Sequence, residues 1–173
     1  VVGSSGSGKS LLAHGILGIL PYNAAMEGEI RYDGELLTPE RVEALRGREI
    51  VLVPQGVTYL DPLMKVGPQI RRGKRSPEAR AKSRSVLERY GLGAETEELY
   101  PFELSGGMAR RVLISTAVME TPRLVIADEP TPGLDARAAG RILGHFREIA
   151  DAGAGMLLIT HDLELALTIA DRV

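Results

Sequence analysis

Residues Gly3, Ser4, Ser5, Gly6, Ser7, Gly8, Lys9 and Ser10 form an octapeptide whose spacing suits anion binding. It fits the phosphate-loop pattern: a glycine, four residues, then Gly-Lys-Ser. The glycines let backbone N–H groups turn inward as a nest for anionic oxygens. Lys9 can reach the outer phosphates of a nucleotide as a point charge, and the Ser10 hydroxyl is a hard ligand suited to Mg²⁺. A helix is expected from Lys9 to about Leu20, with its positive dipole end aimed at the same phosphates. Val1-Val2 read as the end of a buried strand leading into the loop. A flexible Gly/Ser linker is the competing reading, but linkers do not end in Gly-Lys-Ser against an apolar helix.

Further chemistry-bearing residues follow downstream. Asp128 comes after the apolar run Leu124 to Ala127. It is therefore expected at the carboxyl end of a strand, where a carboxylate can hold Mg²⁺, usually through water. Glu129 is adjacent and points to the other side of the chain. His161 follows another apolar run and precedes Asp162. Gln55 follows Val53-Pro54 at the end of a third apolar run. Ser105-Gly106-Gly107 opens a helical pattern, and a glycine pair there exposes N–H groups to an anion. Asp135 reads equally as a helix N-cap. His14 and His145 have no such context and are expected to be structural.

These residues need a frame. Ile50–Val53, Leu124–Ala127 and Met156–Ile159 are unbroken apolar runs, as in parallel strands buried on both faces. Helical patterns lie between them, which predicts an α/β fold of the P-loop kind with a mainly parallel central sheet. Gly28 to Leu37 reads as a small antiparallel hairpin turning at Asp33-Gly34. Residues 61–105 interrupt the alternation and are expected to form an inserted helical subdomain. In it Ser76-Pro77-Glu78 starts a helix and Gly91-Leu92-Gly93 ends it. The next helix should bury Val112, Leu113, Thr116 and Ala117.

Five segments in fixed order now carry a resemblance. They are the phosphate loop, Gln55, Leu104-Ser105-Gly106-Gly107-Met108, Leu124 to Asp135 with Asp128-Glu129-Pro130 inside it, and Leu158-Ile159-Thr160-His161-Asp162. Together they resemble the ATP-binding subunit of an ABC transporter over nearly the whole chain. The resemblance implies an ATPase using ATP and Mg²⁺. It implies that Glu129 is the general base and that His161 contacts the γ-phosphate and fixes the attacking water. It implies that Gln55 senses Mg²⁺ and the γ-phosphate and couples to membrane subunits. Two subunits, identical or paralogous, would sandwich two ATP molecules head to tail. Ser105, Gly106 and Gly107 would then face the nucleotide of the opposite subunit, with Asp135 at the seam.

The resemblance also implies transmembrane permease partners, indirectly a substrate-binding protein, and a peripheral place on the cytoplasmic face of the bacterial inner (plasma) membrane. Met108 and Tyr100-Pro101-Phe102-Glu103 resemble the nickel and peptide importer branch, with nickel ahead of di- or oligopeptides. Gly56-Val57 stands where the family usually has an acid and a proline, so the coupling surface departs from the pattern. The reading is one domain over 1–173, cut at both ends, with the adenine-stacking aromatic residue lying upstream. ABC-type ATPases of DNA repair or of translation share such a head and remain alternatives.

Composition agrees with a cytosolic domain. The 173 residues are 44% hydrophobic and 25% charged, with a net charge of −2. That balance does not suit a general nucleic-acid binder. Without cysteine there is no disulfide and no thiolate metal site. No apolar run approaches the roughly 20 residues of a membrane-spanning helix. Arg71, Arg72, Lys74, Arg75, Arg80, Lys82 and Arg84 form a basic cluster. It is expected to be a solvated face, since no aromatic residues interleave as stacking platforms.

Overall fold

The computed structural model describes residues 1–173. Helix α1 (Lys9–Ile16) leads into a hairpin of β1 (Arg31–Tyr32) and β2 (Glu35–Leu36), then α2 (Pro39–Leu45) and β3 (Ile50–Val53). Helices α3 (Val66–Ile70), α4 (Pro77–Arg89) and α5 (Gly106–Val118) follow. Strand β4 (Leu124–Asp128), α6 (Ala136–Asp151), β5 (Gly155–Ile159) and α7 (Leu163–Ile169) complete the chain.

The central sheet is parallel in the order β3-β4-β5. The apolar runs make these strands because each must bury both faces. Val51, Val53, Val125, Ala127 and Leu158 face a core with α5 and α6, while Ile50, Ile126 and Ile159 face Ala13 of α1 and Leu17 just past its end. The hairpin pairs antiparallel through Arg31 with Leu36 and Tyr32 with Glu35, as its Asp-Gly turn requires.

The helical region has its own core. Leu60, Val66, Ile70, Leu87 and Leu92 pack against Ala109, Val112, Leu113 and Met119. Helix α5 serves both cores, since its Ile114, Ala117 and Val118 belong to the sheet cluster. A helix shared this way packs the two cores against each other. Ser76 caps α4 with Pro77 at its first position, and Ser105 caps α5. On α5, Val112, Leu113 and Ala117 are buried as expected, while Thr116 is only half-buried.

Three expectations need correction. Helix α1 ends at Ile16, not near Leu20. Gly18 takes a φ of 61°, and Gly18 and Ile19 donate back to the carbonyls of Gly15 and His14. That is a Schellman stop, which a left-handed glycine makes cheap. Val1-Val2 pairs as a strand end, as expected, but is not buried. It joins β5 by one parallel bridge, Val2 to Thr160, and Val1 is 43% exposed. Arg71 is not on a solvated face. Its side chain is 6% exposed and pairs with Glu97, itself 3% exposed. Ser83 donates to the same carboxylate and Arg84 pairs with its second oxygen. Burying Arg71 is tolerable only because of those partners. The other six cations of the cluster are exposed.

Candidate functional site

The phosphate loop joins the edge beside β5 to α1. Gly6 and Gly8 have φ of 79° and 88°, which side-chain-bearing residues rarely adopt. The loop therefore turns tightly enough to present N–H groups inward. Lys9 Nζ donates to the carbonyls of Gly3 at 2.7 Å and Ser4 at 2.8 Å, so its ammonium lies over the loop. Ser7 N closes the turn onto the Ser4 carbonyl.

A cavity of about 350 Å³ opens against this loop. Ser5, Gly6, Gly8, Lys9, Ser10, Gln55, Asp128 and Glu129 line it. Three separate chain segments thus converge, because the carboxyl ends of β3 and β4 stop beside the start of α1. This is the crevice where open α/β sheets place ligands.

Asp128 ends β4 and is 3% exposed. Its Oδ1 is buried and has no hydrogen-bond partner. A buried carboxylate oxygen without a donor is costly. A hard cation would satisfy it, and the Ser10 hydroxyl and the Gln55 amide line the same cavity. The donor set therefore fits Mg²⁺, with Ser10, Gln55 and Asp128 as the residues that could hold it.

Glu129 is 6% exposed, with a φ of 48°. A non-glycine residue in that region carries strain of about 1–3 kcal/mol, which surrounding contacts must hold in place. The Glu129 N–H donates to the Ile159 carbonyl at 2.9 Å. The turned backbone aims its carboxylate at His161, whose Nδ1 lies 2.8 Å from both carboxylate oxygens. His161 itself is set by a tight local turn. Asp162 N donates to the Thr160 hydroxyl at 3.0 Å, and the Asp162 carboxylate caps α7. Its imidazole is 60% exposed; it does not line the cavity and meets the site through Glu129.

The remaining expected residues lie elsewhere. Ser105 and Gly106 are exposed and Gly107 is half-buried at the start of α5. None of them lines the phosphate-loop cavity. Gly107 faces the Gly133–Leu134 turn, since a Cβ on it would sit 3.7 Å from the Gly133 carbonyl. Asp135 caps α6 through a 2.8 Å bond from Ala138 N, which also holds its carboxyl below the usual range. The segments 105–107 and 131–135 therefore form one exposed surface, apart from the loop.

Arg110 was not singled out by its motif context, yet it reaches the site. Its Nη1 donates to the carbonyls of Pro54 and Glu129. The available signal was position: Arg110 stands three, four and seven residues before the buried Leu113, Ile114 and Ala117. A charge on an apolar helical stripe needs a buried partner.

A parallel sheet with this loop at its crevice defines a P-loop nucleotide-binding fold. The chain belongs to the ABC transporter family, whose sequence profile matches residues 1–132. It is 40% identical over 188 residues to the peptidoglycan transport ATP-binding protein YejF of Agrobacterium fabrum, covering all of this chain and 34% of that protein. It is 38% identical over 189 residues to the oligopeptide transport ATP-binding protein OppD of Bacillus subtilis, covering all of this chain and 52% of that protein. The chain thus spans a third to a half of the length of these relatives. The fold matches the dimeric bacterial ABC transporter cassette MJ0796 with a TM-score of 0.82 at 27% identity, over 96% of this chain and 75% of that one. It also matches a post-hydrolysis dimer of that cassette bound to ADP and Pi, with a TM-score of 0.81 at 28% identity, over 95% and 75% of the two chains.

Proposed function

We propose that this chain binds and hydrolyses ATP and that the hydrolysis drives uptake of di- or oligopeptides through permease subunits. The observation that carries the reading is the convergence on one cavity of Lys9, Ser10, Gln55, Glu129 and the partnerless Asp128 oxygen. Phosphoryl transfer to water asks for little covalent help and much positioning. The loop N–H groups and Lys9 bind the phosphates. Ser10, Gln55 and Asp128 would hold Mg²⁺, which would supply charge neutralisation for the phosphates. Glu129 accepts a proton from the attacking water. His161 orients Glu129 through Nδ1 and approaches the γ-phosphate.

A second cassette completes the site. In this reading Ser105, Gly106 and Gly107 offer helix N-terminal donors to the partner's nucleotide, and Asp135 lies at the seam. The dimeric state of the matched cassette MJ0796 supports that arrangement. The work would be done at the cytoplasmic face of the inner membrane. No helix of the chain is long and apolar enough to cross a membrane; in this reading the membrane path belongs to permease subunits. The domain reading, one cassette over 1–173 with a helical subdomain near 61–105, belongs to the same proposal.

Peptide cargo rests on the relatives' names, which refer to oligopeptide and peptidoglycan transport. Those names favour peptide over nickel, and transport over DNA repair or translation. The test is ATP-dependent uptake by vesicles containing the full protein and its permease. Accumulation of labelled oligopeptide, blocked by excess unlabelled peptide and unaffected by Ni²⁺, is expected. Uptake of nickel instead would overturn the cargo, and absence of phosphate release from ATP would overturn the ATPase.

A further inference from the structure

The β3–β4 ladder ends at Val53 and Ala127. Beyond it one strand continues into Pro54-Gln55 and the other into Asp128-Glu129, both toward the phosphate loop. Pro54 has no N–H, so the ladder cannot extend through it. Arg110 of α5 spans this gap. It is 8% exposed, and its Nη1 donates to the Pro54 carbonyl at 3.1 Å and to the Glu129 carbonyl at 3.3 Å. Arg110 makes no ion pair of its own. Burial pulls its guanidinium down, and the negative charges of Asp128 and Glu129 pull it back.

We propose that Arg110 is a positioning residue, a strut from α5 that locks the Gln55 loop to the strained Glu129 turn. The proposal rests on the ATPase reading for its consequence, though not for its geometry. Glu129 holds a φ of 48°, and such a backbone persists only when its surroundings over-determine it. One anchor is the bond from Glu129 N to the Ile159 carbonyl. Arg110 supplies the other, on the carbonyl side of the same residue. Because the same Nη1 holds Pro54, the two segments cannot drift apart independently. Arg110 also lies four residues after Gly106, so any displacement of the α5 start passes down one rigid helix to both segments.

The test is hydrogen exchange on the full protein without nucleotide, comparing wild type, Arg110→Met and Arg110→Lys. In Arg110→Met the peptides covering 50–60 and 124–134 should both exchange at least about tenfold faster, with the hairpin and α2 unchanged. Arg110→Lys keeps a charged donor and should recover most of the protection. In turnover, Arg110→Met should lower kcat by about 10- to 100-fold, the scale of a misplaced reacting group. KM for ATP should stay within about threefold, because the loop around Lys9 is untouched. Faster exchange in only one segment, in neither, or throughout the chain would overturn the strut, as would the paired pattern with unchanged kcat. If Arg110→Met does not fold, Arg110→Gln is read by the same criteria. A wild type that does not hydrolyse ATP would sink the ATPase reading alone, and the exchange pattern would still decide the strut.

Discussion

His161 Nδ1 lies 2.8 Å from each carboxylate oxygen of Glu129, across the carboxyl ends of two neighbouring strands. The histidine is 60% exposed and the carboxylate 8%. A buried acid is therefore held by an accessible imidazole.

That relationship makes Glu129→Gln the most direct test of the base. The amide keeps the size and a partner for His161 but cannot take a proton. ATP binding should persist, while kcat should fall at least about 100-fold, the scale of a lost general base. Light scattering should also show an ATP-dependent shift from monomer to dimer, since the nucleotide is no longer consumed. Unchanged turnover would rule Glu129 out as the base.

Lys9→Ala should act on binding instead. Lys9 donates to the Gly3 and Ser4 carbonyls and is the one cation of the phosphate loop. Charge-assisted bonds are worth about 1.5–3 kcal/mol, so ATP affinity by calorimetry should drop about 10- to 100-fold. The thermal midpoint without nucleotide should barely move, because the lost bonds are at an exposed loop.

The buried ion pair of the helical region gives a stability prediction. Glu97→Ala would strand Arg71 in the core, where its only charged partner is that carboxylate. Removing one member of such a pair costs about 3–5 kcal/mol. Surface pairs such as Arg89–Glu148 should change stability by about 0–1 kcal/mol when broken. Urea unfolding of the two variants, Glu97→Ala and Glu148→Ala, would separate the cases, and equal losses would contradict the burial argument.

His145 predicts how stability responds to acid. Burial, then Arg89, pushes its pKa from the ordinary 6.5 down to about 4. The Tyr90 hydroxyl lies against its Nδ1. The unfolded chain therefore binds the proton more tightly than the folded one. The stabilising contribution is complete above about pH 6.5 and is lost as the pH falls toward about 4. Thermal midpoints from pH 7 down to pH 5 should fall less steeply in His145→Gln than in wild type. Parallel slopes would mean that His145 does not contribute.

Several features were open to view in the sequence because they depend on local chemistry. The three apolar runs became the three parallel strands because only a buried strand can hide so many consecutive branched side chains. Ser76 and Ser105 capped their helices, since a hydroxyl there reaches the N–H groups of the first turn. The early end of α1 was harder to see. It depends on Gly18 turning left-handed while Gly15, three residues earlier, stays helical.

What the sequence by itself determined is the chemistry available: a phosphate nest, a cation, two adjacent carboxylates, a glutamine and a histidine, each at the end of a predictable element. What only the tertiary structure decided is who meets whom. Tertiary packing set Gln55 beside Asp128 and Glu129 and, through the turned backbone of Glu129, aimed its carboxylate at His161. It also took Arg71 out of a basic run and buried it against Glu97, and it made Arg110 a link between two strand ends. The physical reason is range. Propensity, capping and burial pattern act within one element, whereas a buried charge finds its partner only after the elements have packed.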